Sequence, residues 1–169
     1  MGPDSGAYKF VFVLHLLAVI IGFGSMSLAS AYAARARRRG GREGLAVAEV
    51  VLDVFEHISQ WFIYAVPVLG IILVLMSDDK IKFSQSWVGI SLALYIVALV
   101  VLLVLHLPNV RRINAVAAQA NAGGTAPAGG RPPQAAELEG MAKKAAMYDG
   151  IINLLWIVVV FLMVYKPGA

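Results

Sequence analysis

Hydrophobic positions along the chain gather into four stretches without Asp, Glu, Lys or Arg: Phe10 to Ala34, Ile58 to Ser77, Phe83 to Val110 and Gly150 to Tyr165. Their lengths are 25, 20, 28 and 16 residues. A helix rises 1.5 Å per residue, so about 20 apolar residues cross the ~30 Å of bilayer hydrocarbon. The pattern therefore predicts an all-α fold, a four-helix transmembrane bundle with spans at about 8–34, 47–77, 84–110 and 146–166. The fourth interval is short, which puts Asp149 at the headgroup boundary or facing into the bundle. The first is longer than a secretory h-region and its basic residues follow it, so it reads as a mature helix rather than a signal.

The parts between the spans also carry a pattern. In VAEVVLDVFEH (47–57), Val47, Val50, Val51, Val54 and Phe55 share one helical face and Glu49, Asp53 and Glu56 another, so the second helix begins before it enters lipid. NAGGTAPAGGRPPQ (121–134) reads as a flexible linker. Residues 135–148 restart a helix leading into the fourth span.

Composition agrees with this reading. Of 169 residues, 60% are hydrophobic and 14% charged, and mean hydropathy is +0.77, which a soluble core of this size could not bury. The absence of cysteine excludes disulfides, thiolate catalysis and Cys-based metal centres. Charge gives orientation. Arg35, Arg37, Arg38, Arg39 and Arg42 follow the first span, and Arg111, Arg112, Arg131, Lys143 and Lys144 lie between the third and fourth. Only Lys9, Lys80, Lys82 and Lys166 fall on the other side. Basic loops stay cytoplasmic, so both termini are expected outside, in an inner (plasma) membrane. The net charge of +4 then reports attraction to anionic inner-leaflet lipid and not nucleic acid. Trp61, Trp87, Trp156, Tyr8 and Tyr165 are expected as interface aromatics, with Trp61 and Trp156 somewhat deeper than a strict belt.

Helices in lipid associate through small residues. Gly22, Ser25, Ala29 and Ala33 form a ridge on the first span, read as a packing face or as room for a flat macrocycle or quinone ring. Pro67 should kink the second span.

Ionisable residues inside a membrane are candidates for function. His15 lies about 8 Å in from the outer face by helical rise, opposite stretches near Ile71, Leu92 and Val159 that hold no second ligand. It is either a lone haem ligand or a neutral imidazole bonded to a backbone carbonyl or serine. His57 and His106 share a depth with Glu56 and Asp149 near the inner boundary. That cluster permits two-histidine haem ligation, a mixed metal site or an ion-pair network, although none of its spacings is a metal motif. Glu49, Asp53, Glu56, Gln60 and Tyr64 step by four, three, four and four along the second helix, as a proton path or a water-facing helix would. No phosphate loop or nucleophile elbow is present.

The runs KFVFVLHLLAVIIGFGSMSLA, YAVPVLGIILVL and WVGISLALYIVALVVLLVLHLPNVRRI resemble the bacterial family of predicted integral membrane proteins known as domain of unknown function 2269. More distantly they are similar to the superfamily of copper-resistance D proteins and haem-containing membrane protoporphyrinogen oxidases. The resemblance implies a helical membrane bundle and, in the oxidase branch, a haem ligand at the position of His15. The tryptophan usual after that histidine is replaced by Gly22, Phe23 and Gly24, and the third span lacks the lysine tied to the oxidase activity, so that activity does not carry over. Three functions are expected as alternatives: a redox-linked protein associated with haem b or quinone, a non-catalytic accessory or assembly subunit of a larger membrane complex, and a small transporter.

Overall fold

The computed structural model describes residues 2–39, 41–122 and 133–168, and these are helical with no strand among them. Helix α1 spans Gly6–Arg39, α2 Gly41–Leu75, α3 Ser86–Ala122 and α4 Pro133–Tyr165. All four are long and apolar enough to cross a membrane. Each covers all or nearly all of one apolar interval and continues beyond it on the arginine-bearing side, and α1, with 34 residues, is about 50 Å long. The excess over the hydrocarbon thickness forms a helical extension carrying most of the charge. Residues 123–132 of the expected linker 121–134 lie outside the described residues; α3 continues through Ala122, and 133–134 already belong to α4.

The helices form two antiparallel hairpins, α1 with α2 and α3 with α4. The first is tight because two glycines let backbones touch. A Cβ on Gly44 would run into the Ala36 carbonyl beside the α1–α2 turn. At mid-membrane a Cβ on Gly22 would sit 3.1 Å from Ile63 Cγ1 and 3.3 Å from its backbone nitrogen. The α2–α3 loop is held by buried Ser77, whose hydroxyl accepts the Ile81 N–H at 3.0 Å, with Asp78 and Asp79 in the left-handed conformation aspartate tolerates.

The hairpins meet on the arginine side, where α2 packs on α3, and separate on the opposite side, where residues 60–75 and 86–100 diverge. Between these regions sits a junction of all four helices. Pro67 has no N–H, so the Ile63 carbonyl one turn earlier loses its intrahelical donor. The Tyr95 hydroxyl of α3 donates to that carbonyl at 2.7 Å. Phe23 of α1 stacks on Trp156 of α4 at 4.1 Å between centroids and lies 6.1 Å from Tyr95. Ile63, Tyr95 and Trp156 are all buried. Trp87 is buried too, so of the expected interface aromatics Trp87 and Trp156 are interior, because α3 and α4 turn them toward the hairpin junction and not toward lipid.

Two helices widen into single π-helical turns, Phe55–Ser59 in α2 and Val101–His106 in α3. Pro108 accounts for the second. It cannot supply a donor to the Val104 carbonyl, and the Leu107 N–H bonds five residues back, to Leu102. No proline lies at a comparable place after the first.

Tyr95→Phe should therefore lower stability by about 1 kcal/mol, the scale of an interhelical hydrogen bond in lipid. In a Pro67→Ala background, where residue 67 again donates to Ile63, the same change should cost clearly less. Unfolding in mixed micelles of the four members of this double-mutant cycle measures the coupling, and strict additivity would refute the linkage.

Candidate functional site

Two cavities lie on either side of the junction. The one on the side opposite the arginines has a volume of about 260 Å³ and walls from all four helices and the α2–α3 loop. His15 enters from α1 on the same face as Ala18 and Gly22, one to two helical turns away. It packs against Gly70 of α2, where a Cβ would be 3.4 Å from His15 Cε1. From α3, Trp87 and Ser91 lie four residues apart on one face, one turn outward of Tyr95. Lys166 lies over the Trp87 ring, 5.8 Å from its centroid, and closes the outer end.

The chemistry of this cavity is set by what its polar atoms lack. His15 Nδ1, Trp87 Nε1 and Ser91 Oγ are all buried without a hydrogen-bond partner. The three residues are 5%, 7% and 3% exposed, so surrounding lipid does not reach them. Buried polar groups are nearly always paired, and an unpaired one costs about 1–3 kcal/mol. Three around one otherwise apolar hollow make it a place for a molecule with hydrogen-bonding atoms at its edge and an apolar ring between them.

The second cavity, about 780 Å³, lies among the helical extensions on the arginine side. At its membrane end His106 Nε2 is 3.4 Å from Asp149 Oδ1, with the side chains 11% and 19% exposed. That contact is long for a hydrogen bond, and His106 Nδ1 and Asp149 Oδ1 remain without hydrogen-bond partners.

The structure separates the inner-boundary group of Glu56, His57, His106 and Asp149. Only His106 and Asp149 come together. Phe55 and Ser59 occupy the inward face of the π turn, and His57 between them points out of the bundle, 72% exposed and 3.0 Å from the Asp53 carboxylate. Glu56 accepts from Arg111 Nε at 2.7 Å. His57 therefore does not face His106, and two-histidine ligation of one haem is not available there. Along the α2 stripe Glu49 and Asp53 are exposed, while Glu56, Gln60 and Tyr64 are half-buried, Tyr64 edge-on to Trp61. On the α1 ridge Gly22 packs on Ile63, the Ser25 hydroxyl donates to the Gly22 carbonyl at 2.9 Å, and Ala29 and Ala33 line the larger cavity.

The cavity at His15, about 260 Å³, lies below the ~300 Å³ at which sites for drug-sized molecules begin, and no second histidine is among its lining residues. Gly70 also packs directly against the imidazole. Among the described residues no group of three or more His, Asp or Glu side chains could hold a metal ion. Trp87, Ser91, Tyr95 and Gly70 were not marked as site residues by sequence. The signal for the first three was the spacing of Trp87, Ser91, Tyr95, Ala98 and Leu102, which keeps one face of α3 buried.

Fold and site together define an integral membrane protein of four apolar helices with a junction at mid-membrane and a cavity on either side. The chain belongs to the family described as predicted integral membrane protein (DUF2269), whose model matches residues 9–167. No curated protein and no solved structure matches it.

Removing Asp149 should leave His106 buried with no carboxylate, so Asp149→Ala should destabilise the protein by about 1–3 kcal/mol. Asp53→Ala breaks an exposed contact with His57 and should change stability by less than about 0.5 kcal/mol. Thermal unfolding in one detergent compares the two, and equal effects would contradict the difference in burial.

Proposed function

We propose that this protein binds a small lipid-soluble ring compound of the quinone class in the cavity of His15, Trp87 and Ser91, and that its role is redox-linked through that ligand. One observation carries the reading: three buried polar atoms without partners surround a single apolar hollow. A quinone carbonyl is an acceptor only. On one wall it would take hydrogen bonds from the Trp87 N–H and Ser91 O–H, while His15, which also bonds to the Val66 backbone, would lie beside the ring across the cavity. Phe23, Tyr95 and Val66 supply the apolar contact for the ring. A prenyl tail would leave past Phe12, Leu16, Val160 and Val164, which line the cavity and face lipid. By the distribution of arginines this half of the bundle is the extracytoplasmic one, in a plasma membrane.

A second reading, a small transporter, rests on the two cavities that approach the Phe23–Tyr95–Trp156 junction from opposite sides. It requires the junction to open during turnover.

Equilibrium dialysis of a short-tailed quinone against the purified protein in neutral detergent tests the first reading. Trp87→Phe and Ser91→Ala should each weaken binding about tenfold, the equivalent of one hydrogen bond at 1.4 kcal/mol. Trp61→Phe, at a lipid-facing position, should leave it unchanged. Wild-type affinity in both cavity variants would refute the assignment.

A further inference from the structure

The larger cavity plays no part in the quinone reading. Its size falls within the roughly 300–1,000 Å³ of small-molecule sites, and its walls are mostly apolar: Ala33 of α1, Leu52 of α2, Ala117 of α3 and Ala142 of α4 lie around it. The hollow stands where the helices leave the hydrocarbon, among extensions that carry charge and meet water. Apolar surface of that extent at such a place is unfavourable unless something apolar covers it.

The charges around the hollow show what kind of molecule that is. Its charged lining residues are Arg37 and Lys143 with Glu139 and Asp149. Lys143 is paired with Glu139 at 3.1 Å. Arg37 acts on Asp149 through space, yet makes no ion pair among the described residues. Arg35, Arg38, Arg39 and Arg42 crowd the same α1–α2 turn. The lining charges balance, and the arginines of the α1–α2 turn make the mouth of the slot basic, beside the bilayer surface, where basic residues attract anionic headgroups.

We propose that the larger cavity is a binding site for an anionic phospholipid of the adjoining leaflet, with the phosphate at Arg37 and one acyl chain in the hollow. The lipid seals the space among the four helical extensions. A free fatty acid offers related chemistry, but the open leaflet next to the hollow supplies phospholipid directly. The site is independent of the quinone site, since the aromatic junction lies between them.

Thermal unfolding of the purified full chain in neutral detergent, with added phosphatidylglycerol, phosphatidylcholine of the same chains, or oleate, tests the proposal. Phosphatidylglycerol should raise the midpoint saturably and phosphatidylcholine should not. Arg37→Gln, a surface change that leaves the helices intact, should reduce the apparent affinity about tenfold. Ala142→Trp, which fills the hollow, should abolish the response, while Lys80→Gln on the other side and Ser91→Ala in the quinone cavity should preserve it. Equal shifts from both phospholipids, or a phosphatidylglycerol response unchanged by Arg37→Gln and Ala142→Trp, would overturn the site. Saturation by oleate at lower concentration than phosphatidylglycerol would overturn the choice of a phospholipid.

Discussion

Pro67 deprives the Ile63 carbonyl of its helical donor in the middle of a membrane, where no water can replace it. Tyr95 of the other hairpin supplies the missing hydrogen bond at 2.7 Å. The rest of the bundle is arranged around this exchange. Ile63 also meets Gly22, so the residue that accepts from α3 is also one on which α1 rests closely. Phe23, next in sequence to Gly22, stacks on Trp156 and brings in α4. In hydrocarbon the hydrophobic effect does not hold helices together, and a junction built from one satisfied carbonyl, one absent Cβ and one aromatic stack does so by packing and hydrogen bonding.

Because the junction is local, the hairpins are free to separate on either side of it, and both cavities follow from that. The smaller owes its character to side chains whose polar atoms the fold leaves unpaired, the larger to alanines and aliphatic residues on helices that extend past the hydrocarbon. Polar groups differ between them accordingly. His15, Trp87 and Ser91 sit in an apolar enclosure between the helices, whereas His106 and Asp149 mark the boundary between membrane and charged extension.

Much of the fold was legible because spanning a bilayer imposes length and composition on sequence. The intervals without Asp, Glu, Lys and Arg locate all four helices, and Gly22 and Pro67 announced close packing and an irregular carbonyl. The depths of the histidines followed from helical rise. Their directions did not. His57 and His106 share a depth, but the π turn at Phe55–Ser59 buries Phe55 and Ser59 and sends His57 outward, and a widened turn leaves no mark in hydrophobic periodicity. Trp87 read as an interface aromatic and Trp156 as a somewhat deeper one because tryptophan favours that zone; only the pairing of hairpins shows that they face inward. Ser91 carried no signal of its own, since a serine in a membrane helix usually bonds to its own backbone, as Ser25 and Ser30 do here.

The claim on which the functional reading stands is that the small cavity, and not the lipid-facing surface, receives the ring. Photolabelling of the protein in lipid nanodiscs with an azidoquinone, followed by peptide mapping, measures this directly. The account predicts adducts confined to the walls of the His15 cavity, in residues 8–23 and 83–95, and suppressed by excess unlabelled quinone. Adducts spread over outward-facing positions such as Trp61, Val68 and Leu154 and insensitive to competitor would contradict it.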